Sequence, residues 1–154
     1  MPEPKDDLTY LFGGEIDAGE FSLAISSDDL EPNEITRMLG TKPTYSHRRG
    51  DSNRNGKIQF KHGEWRFATA RLDFRNGSSC ENSFDTFLRS LPDAPEVWRV
   101  IARDYEAQVF IHLWMKTWNR EFDLSVFALG ELARRQLRLH IDTYVDINHE
   151  DSAA

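Results

Sequence analysis

Cysteine occurs once in the 154 residues, as Cys80, so an intramolecular disulfide is excluded, and with it the small disulfide-stapled class of secreted domain. Long apolar runs are also missing. No stretch approaches the roughly 20 residues a membrane-crossing helix needs, and Met1-Pro2-Glu3-Pro4-Lys5-Asp6-Asp7 lacks the basic start and apolar core of a secretory signal. A cytoplasmic setting without membrane contact is the expectation. Positive charge is in deficit, with 19 Lys and Arg against 26 Asp and Glu and a net charge of -7, which argues against nucleic acid as a partner. The usual enzyme signatures are absent: no Gly-rich phosphate loop, no His-Glu-x-x-His, no Gly-x-Ser-x-Gly, no paired cysteines. Neither a cofactor nor catalytic residues are expected on that ground, although an enzyme assembled from scattered residues, such as His62 with Glu64, stays open.

What is present is the composition of one folded domain, 39% hydrophobic and 12% aromatic, long enough to bury a core without metal or disulfide. Charge is unevenly placed. Residues 1–31 carry nine acids and one base, residues 32–75 ten bases and four acids, and residues 76–154 thirteen acids and eight bases. A basic middle therefore lies between acidic flanks. Residues 1–19 read as a flexible acidic arm with room for a short strand, 20–148 as a single α+β domain and 149–154 as a flexible tail. Cys80 falls in the polar run Asn76 to Asn82, which reads as a loop carrying a spare thiol.

Hydrophobic periodicity orders the elements. Phe21, Leu23 and Ile25 alternate with small polar neighbours as in a half-buried strand. A short helix follows, with Pro32 in its first turn, Ile35, Met38 and Leu39 on one face, and Gly40 ending it. Residues 41–56 read as a long loop. A hairpin is then predicted, with Ile58 and Phe60 on one side of a His62-Gly63 turn and Trp65 to Phe74 on the other. Asn82 or Ser83 is the expected cap of a helix through Phe84, Phe87, Leu88 and Leu91, and Asp93-Ala94-Pro95-Glu96 reads as a capping box for the next. Tyr105 to Lys116 is the longest strand candidate, Leu124 to Gln136 a helix capped by Ser125, and Leu137 to Ile147 the last strand. Strand-helix-strand occurs near each end, which favours parallel pairs there. The fold class expected is α+β: a mixed sheet with helices on one face, ferredoxin-like with an added C-terminal helix and strand.

Asp29-Leu30-Glu31-Pro32-Asn33-Glu34-Ile35-Thr36, then Leu39-Gly40-Thr41-Lys42-Pro43-Thr44, Gly50-Asp51, Gly63-Glu64-Trp65 and Leu139-His140-Ile141-Asp142-Thr143-Tyr144 occur in that order. In this the chain resembles the bacterial domain of unknown function 4279 family over about residues 20 to 146. The family has no established activity. The resemblance implies a fold and a bacterial cytoplasmic setting, and it carries no catalytic residue across.

Two groups of residues could support a function. His47, Arg48, Arg49, Arg54 and Lys57 form a basic loop able to hold a small anion such as a carboxylate or phosphate, or merely to keep the loop solvated. The second group comes from strand parity: with Val109, Ile111, Leu113 and Met115 inward, Phe110, His112, Trp114 and Lys116 point the other way, as do His140, Asp142, Tyr144 and Asp146 on the last strand. Were the two strands neighbours, they would share an aromatic, histidine-bearing face opposite the helices. The spacing shows none of the usual metal-ligand pairs, so no metal site is expected there. Trp65, Trp98 and Trp118 read as core or rim residues. The leading expectation is a non-enzymatic protein-binding or self-associating module, with Phe110, His112, Trp114, His140, Asp142 and Tyr144 at the interface and a basic partner; a toxin-neutralising immunity protein is one concrete form. The alternative is a small-molecule or phosphate-ligand domain, with or without turnover, that uses loop 42–57.

Overall fold

The computed structural model describes residues 14–117 and 119–145. Its strands are β1 (Gly14–Glu15), β2 (Ala18–Ser27), β3 (Tyr45–His47), β4 (Gly63–Ala68), β5 (Leu72–Asp73), β6 (Glu106–Met115), β7 (Arg120–Glu121) and β8 (Arg138–Val145). The helices are α1 (Pro32–Leu39), α2 (Cys80–Ser90), α3 (Pro95–Asp104) and α4 (Val126–Arg134), with a 3-10 turn at Phe74–Asn76. The principal sheet runs β3-β4-β2-β6-β8, and β5 pairs with one end of β2. β2 is antiparallel to both β4 and β6, and β3 is antiparallel to β4, so β4 is inserted between β2 and β3, which run parallel. This is the split β-α-β arrangement of a ferredoxin-like sheet. At the other end α4 carries the chain from β6 to an adjacent parallel β8, the added helix and strand that the periodicity anticipates.

Alternation decides which side of the sheet the helices cover. Phe21, Leu23 and Ile25 of β2, Val109, Ile111 and Leu113 of β6, and Trp65 of β4 are fully buried and belong to one core with Ile35, Phe84, Phe87, Leu88, Trp98, Ile101 and Leu132 from the helices. Trp65 is held further by its indole N–H, which donates to Thr36 Oγ1 at 3.0 Å, and Trp98 donates to the Pro92 carbonyl at 2.8 Å. Both tryptophans are core residues, as expected; Trp118 lies outside the described residues. The Gly-Glu-Trp sequence at the start of β4 needs its glycine for space, because a Cβ at Gly63 would sit 2.9 Å from both Cβ and the carbonyl oxygen of Leu30.

Four sequence expectations change. Ile58 and Phe60 do not form the hairpin partner of β4; Tyr45–His47, inside the expected loop, does. Residues 48–62 instead make an excursion with internal bonds: Gly50 N donates to Phe60 O, Phe60 N to Asp51 O, and Asn53 Oδ1 accepts from Lys57 N and Ile58 N. Ile58 is exposed, so its apolar character marks no buried face. The expected strand from Trp65 to Phe74 breaks after Ala68, and Thr69 ties the break to β2 by exchanging hydrogen bonds with the Phe21 backbone. Cys80 is not a loop thiol but the buried first residue of α2, where burial pushes its pKa up to about 12. Caps also shift. Ser79 caps α2 through Asn82 N, and Asp93 caps nothing, because α3 begins at Pro95 and the Asp93 carboxylate pairs with Arg134 at 2.8 Å. Pro32, Gly40 (φ 65°) and Ser125 act as expected. Gly14, Glu15, Ala18 and Gly19, within the stretch read as an arm, take part in strand pairing.

Candidate functional site

The face of the sheet opposite the helices is built in cross-strand rows. β6 and β8 are neighbours, with Phe110 beside His140, His112 beside Asp142, and Trp114 beside Tyr144. Of the eight residues singled out by parity, the six interface candidates therefore share one surface; Asp146 lies outside the described residues. Rings follow one another along it: Phe110 and His112 at 5.8 Å, His112 and Trp114 at 6.5 Å, Trp114 and Tyr144 at 5.4 Å with planes 19° apart, and Phe110 and His140 at 5.0 Å. Such offset and tilted contacts are the favourable arrangements for aromatic rings. Asp142 sits between the histidines, Oδ1 at 3.3 Å from His140 Nε2 and Oδ2 at 3.8 Å from His112 Nδ1, and the Tyr144 hydroxyl approaches that same Nδ1 at 3.5 Å.

β2 and β4 complete the face. Along β2, Ala18, Glu20 and Ser22 lie beside Trp114, His112 and Phe110, and Ser22 is almost wholly buried with no hydrogen-bond partner for its hydroxyl. The small side chains of Ala18 and Ser22 on the central strand let longer ones reach across. Arg66 of β4 places its guanidinium 4.8 Å from the centre of the Phe110 ring while bonding Glu64 at 2.8 Å. Arg71 lies 4.3 Å over Trp114. Stacked arginines of this kind hold the rings in place and keep charge at the surface. Arg66, Arg71 and Glu20 escape a reading by sequence, because their relation to the aromatic row depends on strand order. The only signal was parity with Trp65 in the case of Arg66. Among the described residues no three His, Cys, Asp or Glu side chains converge as a metal-binding group.

The basic loop is dispersed by comparison. Arg48 is turned back onto Glu31, with Nε 2.8 Å from Oε2, and this pairing holds the Glu31 carboxyl below its usual range. Its backbone N–H donates to Asp51 Oδ2 at 2.8 Å. His47 stacks on Phe60 with ring centres 3.6 Å apart and shares with Tyr45, Asp51, Asn53 and Arg54 the lining of an open hollow of about 740 Å³. Arg49 and Lys57 are exposed. The fork expected from paired arginines is thus already occupied on one side by a carboxylate.

Domain of unknown function (DUF4279) matches residues 17–146, which takes in the sheet from β2 to β8 and the helices α1 to α4. The chain belongs to the DUF4279 family. Within this DUF4279 domain lie both the aromatic face and the basic loop, and the family description assigns a role to neither. No curated protein and no solved structure matches the chain. No helix among the described residues is long and apolar enough to cross a membrane.

Proposed function

We propose that this DUF4279 domain is a non-enzymatic protein-binding module that docks a partner protein on the open face of its sheet. The observation behind this reading is the continuous surface of Phe110, His112, Trp114, His140 and Tyr144, pinned by Arg66 and Arg71 and left uncovered by the helices. Tryptophan, tyrosine and arginine are the side chains from which binding hot spots are most often made, and the two aromatic ones bury much area at little cost in rotamer freedom. The surface is not a ligand pocket. The hollow that touches it, lined by Asp17, Arg71, Arg75, Trp114 and Lys116, measures about 110 Å³, below the several hundred usual for a small-molecule site. The chain's charge of -7 suits a basic partner. A bacterial cytoplasmic immunity protein that neutralises a basic toxin is one setting in which such a domain would work.

Tyr144 is exposed and Trp114 half-buried on a face that supports no core, so Trp114→Ala with Tyr144→Ala is expected to leave the fold intact. The same pair of changes should weaken partner capture at least about 30-fold, equivalent to roughly 2 kcal/mol for loss of a hot spot. Pull-down with wild-type and doubly substituted bait, beside thermal melts of both, tests this. Capture of the same proteins at the same strength by both baits would refute the proposal.

A further inference from the structure

The two edges of the sheet are unlike. β3 is a three-residue edge followed by the excursion 48–62, a short and interrupted strand of the kind that resists pairing with another chain. β8 is an eight-residue edge, paired with β6 without a bulge from Gln108–Arg138 to Met115–Val145, and it contains neither proline nor lysine. Its outer side has no neighbouring strand among the described residues, so a row of backbone N–H and C=O groups is presented for pairing. Exposed apolar side chains lie on this strand as well: of the seven large hydrophobic residues exposed among the described residues, Ile141, Tyr144 and Val145 are on β8.

We propose that β8 pairs antiparallel with β8 of a second copy of this chain, about a two-fold axis at Ile141, joining the two sheets edge to edge. The strand is self-complementary in that register. A two-fold normal to the sheet keeps each side chain on its own face, so residues of like parity meet. His140 then faces the partner's Asp142, Arg138 faces the partner's Tyr144, Leu139 faces the partner's Thr143, and Ile141 meets its own copy. An imidazole meets a carboxylate that can accept its N–H, and a cation meets an aromatic ring, on both sides of the axis. Shifting the axis to residue 142 would set two Asp142 carboxylates against each other. Shifting it to residue 140 would draw the turn Arg135-Gln136-Leu137 into the pairing, where Gln136 has φ 56° and cannot extend a strand. The register at Ile141 keeps residues 138–144 paired and brings Ile141, 41% exposed in the single chain, under cover. The edge borders the open face and shares His140, Asp142 and Tyr144 with it, but the pairing is argued from the backbone and register of β8 and does not depend on that face binding another protein.

Cross-linking of the full chain tests the register. In an antiparallel pair, facing Cα atoms lie about 4.5 or 5.5 Å apart, within the span a disulfide bridges. Under mild oxidation Ile141→Cys should give a covalent dimer on a non-reducing gel, and Val145→Cys should not, because its facing position is residue 137 of the partner. Cys80 is buried and its thiol pushed up to about 12, so it will not compete. Sedimentation should show wild type at twice the 17.9 kDa chain mass and Ile141→Lys at the chain mass with unchanged circular dichroism. A monomeric wild type, or an Ile141→Cys chain that stays uncross-linked, would overturn the proposal. So would a dimer that survives Ile141→Lys but dissolves with Trp114→Ala, which would assign self-association to the sheet face instead.

Discussion

Arg135 is the one charged side chain of the described core, 2% exposed, and its surroundings explain how it is tolerated there. Glu131, one helical turn earlier and 15% exposed, bonds both Arg135 and Arg134, and the backbone carbonyls of Leu91 and Pro92 accept from Arg135 at 3.5 and 3.4 Å. Its guanidinium also lies 5.3 Å from the centre of the Trp98 ring. The pairing with Arg134, strengthened by Arg135, holds the Glu131 carboxyl at about 2, well below its ordinary 4.5. A depressed carboxyl stabilises the fold above its unfolded value and ceases to do so as pH falls through its folded one. Glu131→Gln should therefore cost on the order of 3 kcal/mol near neutrality, because a buried guanidinium loses its counter-charge. The gap between wild type and variant should be constant above pH 5 and close as pH falls toward 2. Urea midpoints across that range will check both; a gap independent of pH would show that the carboxylate charge is not what matters.

Helix and strand ends follow a different logic, because one loop atom can decide them. Ser125 accepts from Ala128 N at 2.9 Å and donates to Asp85 Oδ1 at 2.6 Å, so it caps α4 and ties it to α2 at once. Ser125→Ala should lower stability by about 1–2 kcal/mol, the upper part of the range for a lost cap, read as a lower thermal midpoint. Should Asp85→Ala alone produce the whole loss, the tie and not the cap would be responsible. The Ser125 cap was legible in sequence since a clear apolar period follows it. The start of α2 was not: Ser79, Asn82 and Ser83 are all competent caps, and burial of Cys80 selected Ser79 by drawing an extra turn into the core. β3 was invisible for a related reason. An edge strand with exposed Tyr45 and Ser46 buries almost nothing, so no apolar alternation marks it, while Ile58 and Phe60 mimic the pattern without a sheet to join.

At the scale of the whole molecule, charge governs how chains meet. With a net charge of -7 at neutrality and a sequence pI near 5.2, long-range repulsion opposes association at pH 7 and vanishes near the pI. Solubility should pass through its minimum near pH 5.2, measurable by light scattering across a pH series, and added salt should strengthen self-association at pH 7 by screening that repulsion. Loss of association on adding salt would mean that ion pairs, and not backbone pairing with apolar cover, hold the copies together.

Side-chain direction along each strand was determined by sequence alone, since a period of two leaves no freedom once Phe21, Leu23 and Ile25 or Val109, Ile111 and Leu113 must be buried. The six aromatic and polar residues of the open face followed from that rule. The strand-helix-strand order favoured a parallel β6–β8 pair, but the order of the whole sheet was decided only by tertiary structure: backbone hydrogen bonds between strands are the same for every sequence, so nothing local states that β6 should have β2 on its other side. That adjacency sets His112 against Asp142, brings Arg66 over Phe110, and leaves β8 at the edge.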